Sequence, residues 1–334
     1  MAKLQLPSVY RQGDKLHTSS DGQKIDVTVP SVGASQSFKY FGQRKGVSAY
    51  SFIDQRNFLF HSTIFSAAER EAAYVLDGLM RNDVVKSDIH STDTHGYSEV
   101  IFGVSHLLGF MFAPRIKNLK RQRLYTFPGQ YKRLYQEEEY PILPDGVLNI
   151  QHIIDNWDEI LRFTTTIQLK ETTASQLFRR LNSYSTTHPL WTALKEFGRA
   201  VKSAYILRYI DDLVLRQAIE KQLNKIESAQ KFSNAVAFGS QELRQADREE
   251  QRITIACRRL IKNAIICWNY LYLSQRIVDA QTEAERSEII RAVQEGSVVA
   301  WRHINFYGEY DFSDEKLKDS IGLVMPLIQK LKVV

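Results

Sequence analysis

The chain changes hydrophobic period along its length. In the first third the period is two: "KIDVTVPS" sets Ile25, Val27 and Val29 against polar neighbours, which predicts a strand. The Asp21-Gly22 pair before it, between extended runs, reads as a hairpin turn. "GVSAYSFID", from Gly46 to Asp54, predicts a further strand. "SAAE", from Ser66 to Glu69, has the form of a capping box, and Ala72, Val75, Leu76 and Leu79 follow at helical spacing until Asn82. Tyr97, Val100, Ile101, Val104, Leu107 and Leu108 form a second helical stripe, stopped at Gly109. "FMFAPRI" then predicts a short strand ended by Pro114. The order of three strands, helix, strand, helix, strand predicts an α/β fold with a mixed sheet flanked by helices.

From residue 118 to about 212 the pattern turns mainly helical, which we read as an insertion. Asn149 is placed to cap a helix with Ile153, Ile154, Trp157, Ile160 and Leu161 on one face. Leu194, Phe197 and Val201 continue the helical pattern. From Leu213 a stripe of Leu215, Ile219, Leu223 and Ile226 predicts another helix, with Gly239 as its stop. A long helix from about Asp247 to Arg276 carries Ile253, Ala256, Leu260, Ala264, Ile265, Trp268 and Leu271, a stripe that places Trp268 in the core. "TEAERSEIIRAVQEG" is a capped helix ending at Gly296. The expected organisation is therefore a first core segment over 1–117, the insertion over 118–212, core helices over 213–276 and a helical extension over 277–334.

Composition adds little to this picture. With 334 residues and 43% apolar content the chain can bury a sizeable core, and 25% charged residues is ordinary for a globular protein. The net charge of +6 permits a polyanionic partner without demanding one. Cys257 and Cys267 lie in an apolar helical run and read as buried small hydrophobes, with no disulfide framework or zinc arrangement. Neither a signal core nor an apolar stretch of membrane-spanning length is present in the sequence, so a soluble, cytoplasmic protein with no membrane partner is expected.

Three acids carry the candidate chemistry. Alone, Asp21 is a turn residue and Asp93 a turn or helix-start residue. Glu227 lies four residues after Leu223 and eight after Ile219, and reads either as sharing their face or as an edge residue paired with Lys231. Together they fall in a telling order: one acid after the first strand, one after the strand that follows the first crossover helix, one on a late helix. Ribonuclease-H-like folds assemble three carboxylates in that order. Such a cluster repels itself until hard cations such as Mg²⁺ bind. His17, His61, His90 and His95 show no zinc spacing and read as structural.

Several longer blocks carry a resemblance. "SSDGQ", "EAAYVLDGLM", "STDTHGYSEVIFGVSHLLGFMFAPRI", "QLNKIESAQKFSNAVAFG", "ICWNYLYL" and "WRHINFYGEY" occur in order from about Thr18 to Tyr310. They resemble the C-terminal catalytic region of Tn3-family transposases of bacterial transposable elements. The resemblance implies a ribonuclease-H-like fold with a DDE triad of Asp21, Asp93 and Glu227. It implies two Mg²⁺ ions, replaceable by Mn²⁺, held by those three side chains. One ion would activate water and the other stabilise the leaving 3′ oxygen, giving DNA cleavage, strand transfer into target DNA and replicative transposition. A homodimer bridging two transposon ends belongs to the same expectation.

From Arg115 to Tyr135 there are basic but no acidic residues, with Tyr125, Phe127, Tyr131 and Tyr135 interleaved. Arg115, Lys117, Lys120, Arg121 and Arg123 are the candidate phosphate contacts, and Lys225 and Lys231 flank Glu227. Family members carry N-terminal domains that bind the inverted repeats, and this chain begins shortly before the first catalytic strand. A catalytic fragment or truncated reading frame is therefore expected. Two competing readings are an inactive or regulatory DNA-binding remnant and a ribonuclease-H-like nuclease of cellular function.

Overall fold

The computed structural model describes residues 15–93, 97–129, 140–183, 188–238, 241–309, 311 and 313. Gly239, His95, Tyr131, Lys132, Arg133, Tyr135 and Tyr310 lie outside the described residues. The chain is a mixed α/β protein that divides into two compact units. One comprises Gln23–Ala68 and the chain from Asn224 onward; the other comprises Leu16–Gly22 and Glu69–Leu223.

The second unit is built on parallel strands. The start of β1 (His17–Asp26) pairs parallel with β5 (Ile89–Ser91), and β5 pairs parallel with β6 (Met111–Phe112). Helix α2 (Ala72–Met80) leads into β5, and α3 (Glu99–Leu107) connects β5 to β6. Asn82 ends α2 as expected, its amide donating to the carbonyls of Gly78 and Leu79. Gly109, at φ +85°, ends α3 in a left-handed turn that glycine adopts freely. Beyond β6 come a short parallel pair, β7 (Tyr125–Thr126) with β8 (Gly146–Val147), and four helices. These are α4 (Ile150–Asp155), α5 (Trp157–Gln168), α6 (Ala174–Ser183) and α7 (Pro189–Asp211). Asn149 does cap α4, accepting from the His152 amide at 3.2 Å. The single face expected there is broken: the helix interrupts at Asn156, Ile160 is buried, and Ile154 and Leu161 are exposed.

In the first unit, the later part of β1 runs beside β3 (Lys45–Asp54), and β3 pairs antiparallel with β2 (Ser35–Gln36) and β4 (Leu59–Ser66); the one-turn helix α1 (Phe38–Phe41) joins β2 to β3. Ile25, Val27, Val47, Ala49 and Ile64 close one core with Leu243 and Ile255. Two sequence expectations fail here for physical reasons. Asp21-Gly22 is not a turn, because β1 continues through it and pairing on both sides of the dipeptide keeps it extended. "SAAE" is not a capping box: Ser66 ends β4, α2 starts later at Ala72, and Glu69 instead takes the Tyr74 hydroxyl and Arg179. β4 itself carries mixed polar and aromatic residues and escaped the alternation test.

Helix α8 (Leu213–Val236) buries Leu215, Ile219, Leu223 and Ile226, as their spacing requires, followed by Ala229 and Phe232. Helix α9 (Arg248–Asp279) is capped by Asp247, which accepts from the Glu249 and Glu250 amides. Its expected core stripe faces outward: Ile253, Leu260 and Trp268 are exposed, as is Cys257, while Cys267 is half-buried. The buried face is Gln251, Ile255, Lys262, Ile266, Asn269 and Tyr270. Asn269 donates to the carbonyls of Val298 and Ala300 at 2.8 Å each and Lys262 to Ser233 Oγ, while Gln251 donates to Ser31 and the Gln245 carbonyl but its Oε1 is buried without a hydrogen-bond partner among the described residues. Helix α10 (Glu283–Glu295) is capped by Thr282 as expected. Among the described residues no helix is long and apolar enough to cross a membrane.

Candidate active site

The start of β1 and the strands β5 and β6 share a parallel register. His17 pairs with Ile89 and Ser19 with Ser91, an offset of 72 (89 − 17), and the same offset separates Asp21 from Asp93 (93 − 21). Ile89 pairs with Met111, an offset of 22 (111 − 89), and the same offset separates Asp93 from Arg115 (115 − 93). Backbone bonds extend this second ladder: Met111, Ala113 and Arg115 donate to the carbonyls of Asp88, His90 and Thr92. Continued two residues past Ser19 and Ser91, this register gives a row of Asp21, Asp93 and Arg115.

The row is built on buried polar side chains. Successive strand residues face opposite sides of a sheet. On one side, Thr18 Oγ1 bonds His90 Nδ1 at 2.7 Å and Ser20 Oγ bonds His90 Nε2 at 2.8 Å. On the other, His17 Nε2 bonds Ser91 Oγ at 2.8 Å, and Ser19 Oγ donates to the Gln222 carbonyl at 3.1 Å. By this alternation Asp21 shares the side of His17 and Ser19. Full burial, with His17 nearby, pushes the His90 pKa down to about 3, so its imidazole is neutral at physiological pH. With both nitrogens engaged, His90 ties β1 to β5 and is a structural histidine, as expected. Burial, reinforced by Arg259, likewise lowers His61 to about 4.

Asp21 is half-buried and its Oδ1 accepts from the Gly22 amide at 2.8 Å. Asp93 keeps 29% of its side chain exposed. Arg115 reaches Asp93 Oδ1 with Nη2 at 3.0 Å and Nε at 3.3 Å, and its Nη1 reaches Glu220 Oε2 at 3.2 Å. Lys117 Nζ stands 3.7 Å from Asp93 Oδ2. Burial disfavours the Arg115 charge, but the bonds and charges of Asp93 and Glu220 outweigh it and raise its pKa further.

The remaining expected residues fall as follows. Glu227, in the first unit, is exposed beside the buried stripe of α8 rather than on it, because Ile226 and Ala229 carry that stripe onward. Among the described residues it forms no ion pair, with Lys231 or otherwise. Lys225 donates to the Gln55 carbonyl within the same unit. Lys120, Arg121 and Arg123 are exposed, the first two on a 3₁₀ turn over Leu119–Arg121. Among the described residues no three His, Cys, Asp or Glu side chains are grouped to hold a metal. The structure places Arg115 and Lys117 on Asp93, and Asp21 on the neighbouring strand β1. The Arg115–Glu220 bond and the His90 network went unread in the sequence; the run of small polar residues in "HTSSD" and "HSTD" was the available signal.

Asp21 and Asp93 fit a divalent cation by donor type. They are hard carboxylate oxygens, accessible to solvent, on adjacent strands.

Residues 1–310 match the Tn3 transposase DDE domain. The chain is 36% identical to the transposase of transposon Tn1546 from Enterococcus faecium, over 97% of this chain and 32% of that protein. It is 33% identical to the transposase of transposon Tn501 from Pseudomonas aeruginosa, over 89% of this chain and 30% of that protein. The transposase of transposon Tn21 from Escherichia coli is 32% identical over 92% of this chain and 31% of its own length. The chain spans about a third of the length of these relatives. No solved structure matches it.

Proposed function

From the chain's membership of the Tn3 transposase DDE family, we propose that it performs the catalytic steps of DNA transposition: cleavage at transposon 3′ ends and transfer of those ends into target DNA. The observation that supports this reading is the parallel β1–β5 register, whose 72-residue offset (89 − 17) is also that between Asp21 and Asp93 (93 − 21). Asp21, Asp93 and Glu227 are the DDE carboxylates on a ribonuclease-H-like core. These three side chains would hold two Mg²⁺ ions, replaceable by Mn²⁺.

Bound Mg²⁺ supplies Lewis acidity at the scissile phosphodiester. The chain does the rest. Asp21 and Asp93 fix the ion side of the site on a rigid strand pair, anchored through His90 and Ser91. His90 takes no part in proton transfer, since both its nitrogens are buried and bonded. Arg115, Lys117, Lys120, Arg121 and Arg123 hold phosphate oxygens of the DNA, with Lys225 and Lys231 further along. The working form is a homodimer on paired transposon ends, in the cytoplasm.

The test is nicking and joining of labelled oligonucleotides by the purified chain with Mn²⁺. Asp93→Ala should abolish both reactions. Strand transfer retained by that variant would remove Asp93 from the site.

A further inference from the structure

Asp93 already holds a cation, supplied by the protein itself. The Arg115 guanidinium sits on Asp93 Oδ1 through two nitrogens, and its third nitrogen sits on Glu220. Only 23% of the Arg115 side chain is exposed. Register explains the placement: the β5–β6 ladder delivers Arg115 level with Asp93, so the contact comes from the backbone rather than from a wandering surface side chain.

Two consequences follow from the chemistry. A positive group beside Asp93 relieves repulsion between the two level carboxylates, Asp21 and Asp93. It also uses lone pairs that an entering divalent ion needs. Arg115 and the ion therefore compete for Asp93. Glu220 gives the displaced guanidinium somewhere to stay, because its bond to Nη1 does not depend on Asp93.

We propose that Arg115 is a positioning residue that holds Asp93 until a divalent cation displaces it onto Glu220. Its guanidinium is then left beside the metal, where a DNA phosphate would lie. This rests on Asp93 being a metal ligand. The fork geometry of arginine suits the dual hold, since one guanidinium spans two carboxylates at once.

The experiment measures Mn²⁺ affinity of the whole chain by calorimetry, without DNA, for the wild type and five variants. If Arg115 occupies Asp93 about nine-tenths of the time, Arg115→Gln should bind Mn²⁺ about tenfold more tightly, by the population of the competent state. Arg115→Lys, which keeps the charge and one donor, should fall between the two. Lys117→Gln removes a neighbouring charge that lacks the fork and should move affinity far less. Glu220→Gln removes the alternative anchor and should weaken binding. Unchanged affinity in Arg115→Gln, or an equal gain in Lys117→Gln, overturns the proposal. Asp93→Asn separates the two levels: if it leaves Mn²⁺ affinity unchanged, the metal site itself is wrongly placed. A readout in the wild type needs no substitution at all. The Arg115 Nε–H resonance should shift during a Mg²⁺ titration with the midpoint of binding, and a resonance that stays fixed at saturating Mg²⁺ overturns the exchange.

Discussion

Asp21 and Asp93 share the 72-residue offset (93 − 21) of the paired β1 and β5 residues and lie two positions beyond the last pair, Ser19 with Ser91. Two carboxylates so placed repel each other when both are ionised, and a shared divalent cation reverses that. Mg²⁺ at a hundred times its dissociation constant should stabilise the folded chain by about 2.7 kcal/mol through binding linkage. Thermal unfolding with and without Mg²⁺ checks this. The shift should appear in the wild type and vanish in both Asp21→Asn and Asp93→Asn. A full shift remaining in either variant would break the pairing.

His90 makes the second prediction. Folding keeps it neutral, with a pKa near 3, whereas the unfolded imidazole titrates near 6.5. Its contribution to stability is therefore complete above pH 6.5 and is lost as pH falls toward 3. In that window the unfolded chain binds one more proton through this residue, so stability falls by about 1.4 kcal/mol per pH unit. NMR reads the residue directly: the His90 ring signals should not titrate between pH 7 and 4.5, and a midpoint inside that range would overturn the assignment.

Helices α3 and α7 meet through a glycine on each. A Cβ on Gly198 would lie 1.9 Å from the Glu99 carbonyl oxygen, and one on Gly103 would meet Phe197 at 2.9 Å. Neither backbone can retreat without opening the close-packed layer beneath. Gly198→Ala should destabilise the protein by about 3 kcal/mol, measured by urea unfolding. Gly129→Ala, where a Cβ meets nothing, is not a clean control, because its φ of +109° strains any side chain. Leu260→Ala on the exposed face of α9 is the better one, and should cost under about 0.5 kcal/mol.

What the sequence disclosed, and what it hid, follows from the range of the forces involved. The caps at Asn149, Asp247 and Thr282 were legible in outline because a cap is settled within a few residues. The α8 stripe was legible because Leu215, Ile219, Leu223 and Ile226 keep helical spacing on its buried face, with Gln222 the one buried polar residue among them. Asp21-Gly22 was misread as a turn because strand partners far away in sequence override a local preference. Helix α9 was read inside out because its buried face carries Gln251, Lys262 and Asn269, whose hydrogen-bond partners lie on other segments. No apolar period can find such a face. The candidate aspartates were visible as motif residues, but Arg115 on Asp93 depends on strand register, and single-chain spacing carries no register.

Lys262 follows from the same reversal of α9. It is 4% exposed, donates to Ser233 Oγ and lies near Arg258 and Arg259. Burial first, then those two guanidinium charges, lowers its pKa from 10.5 to about 8. The unfolded chain therefore holds its proton more firmly than the folded one. Folding is penalised in full below about pH 8, and the penalty disappears as pH rises to 10.5. Lys262→Met keeps the volume of the stem and removes the charge. Allowing for the lost Ser233 bond, it should stabilise the protein at pH 7 by about 2 kcal/mol. That gain should shrink as urea unfolding is repeated from pH 8 to 10.5. A constant gain across this range would show that the ammonium is not the source of the penalty.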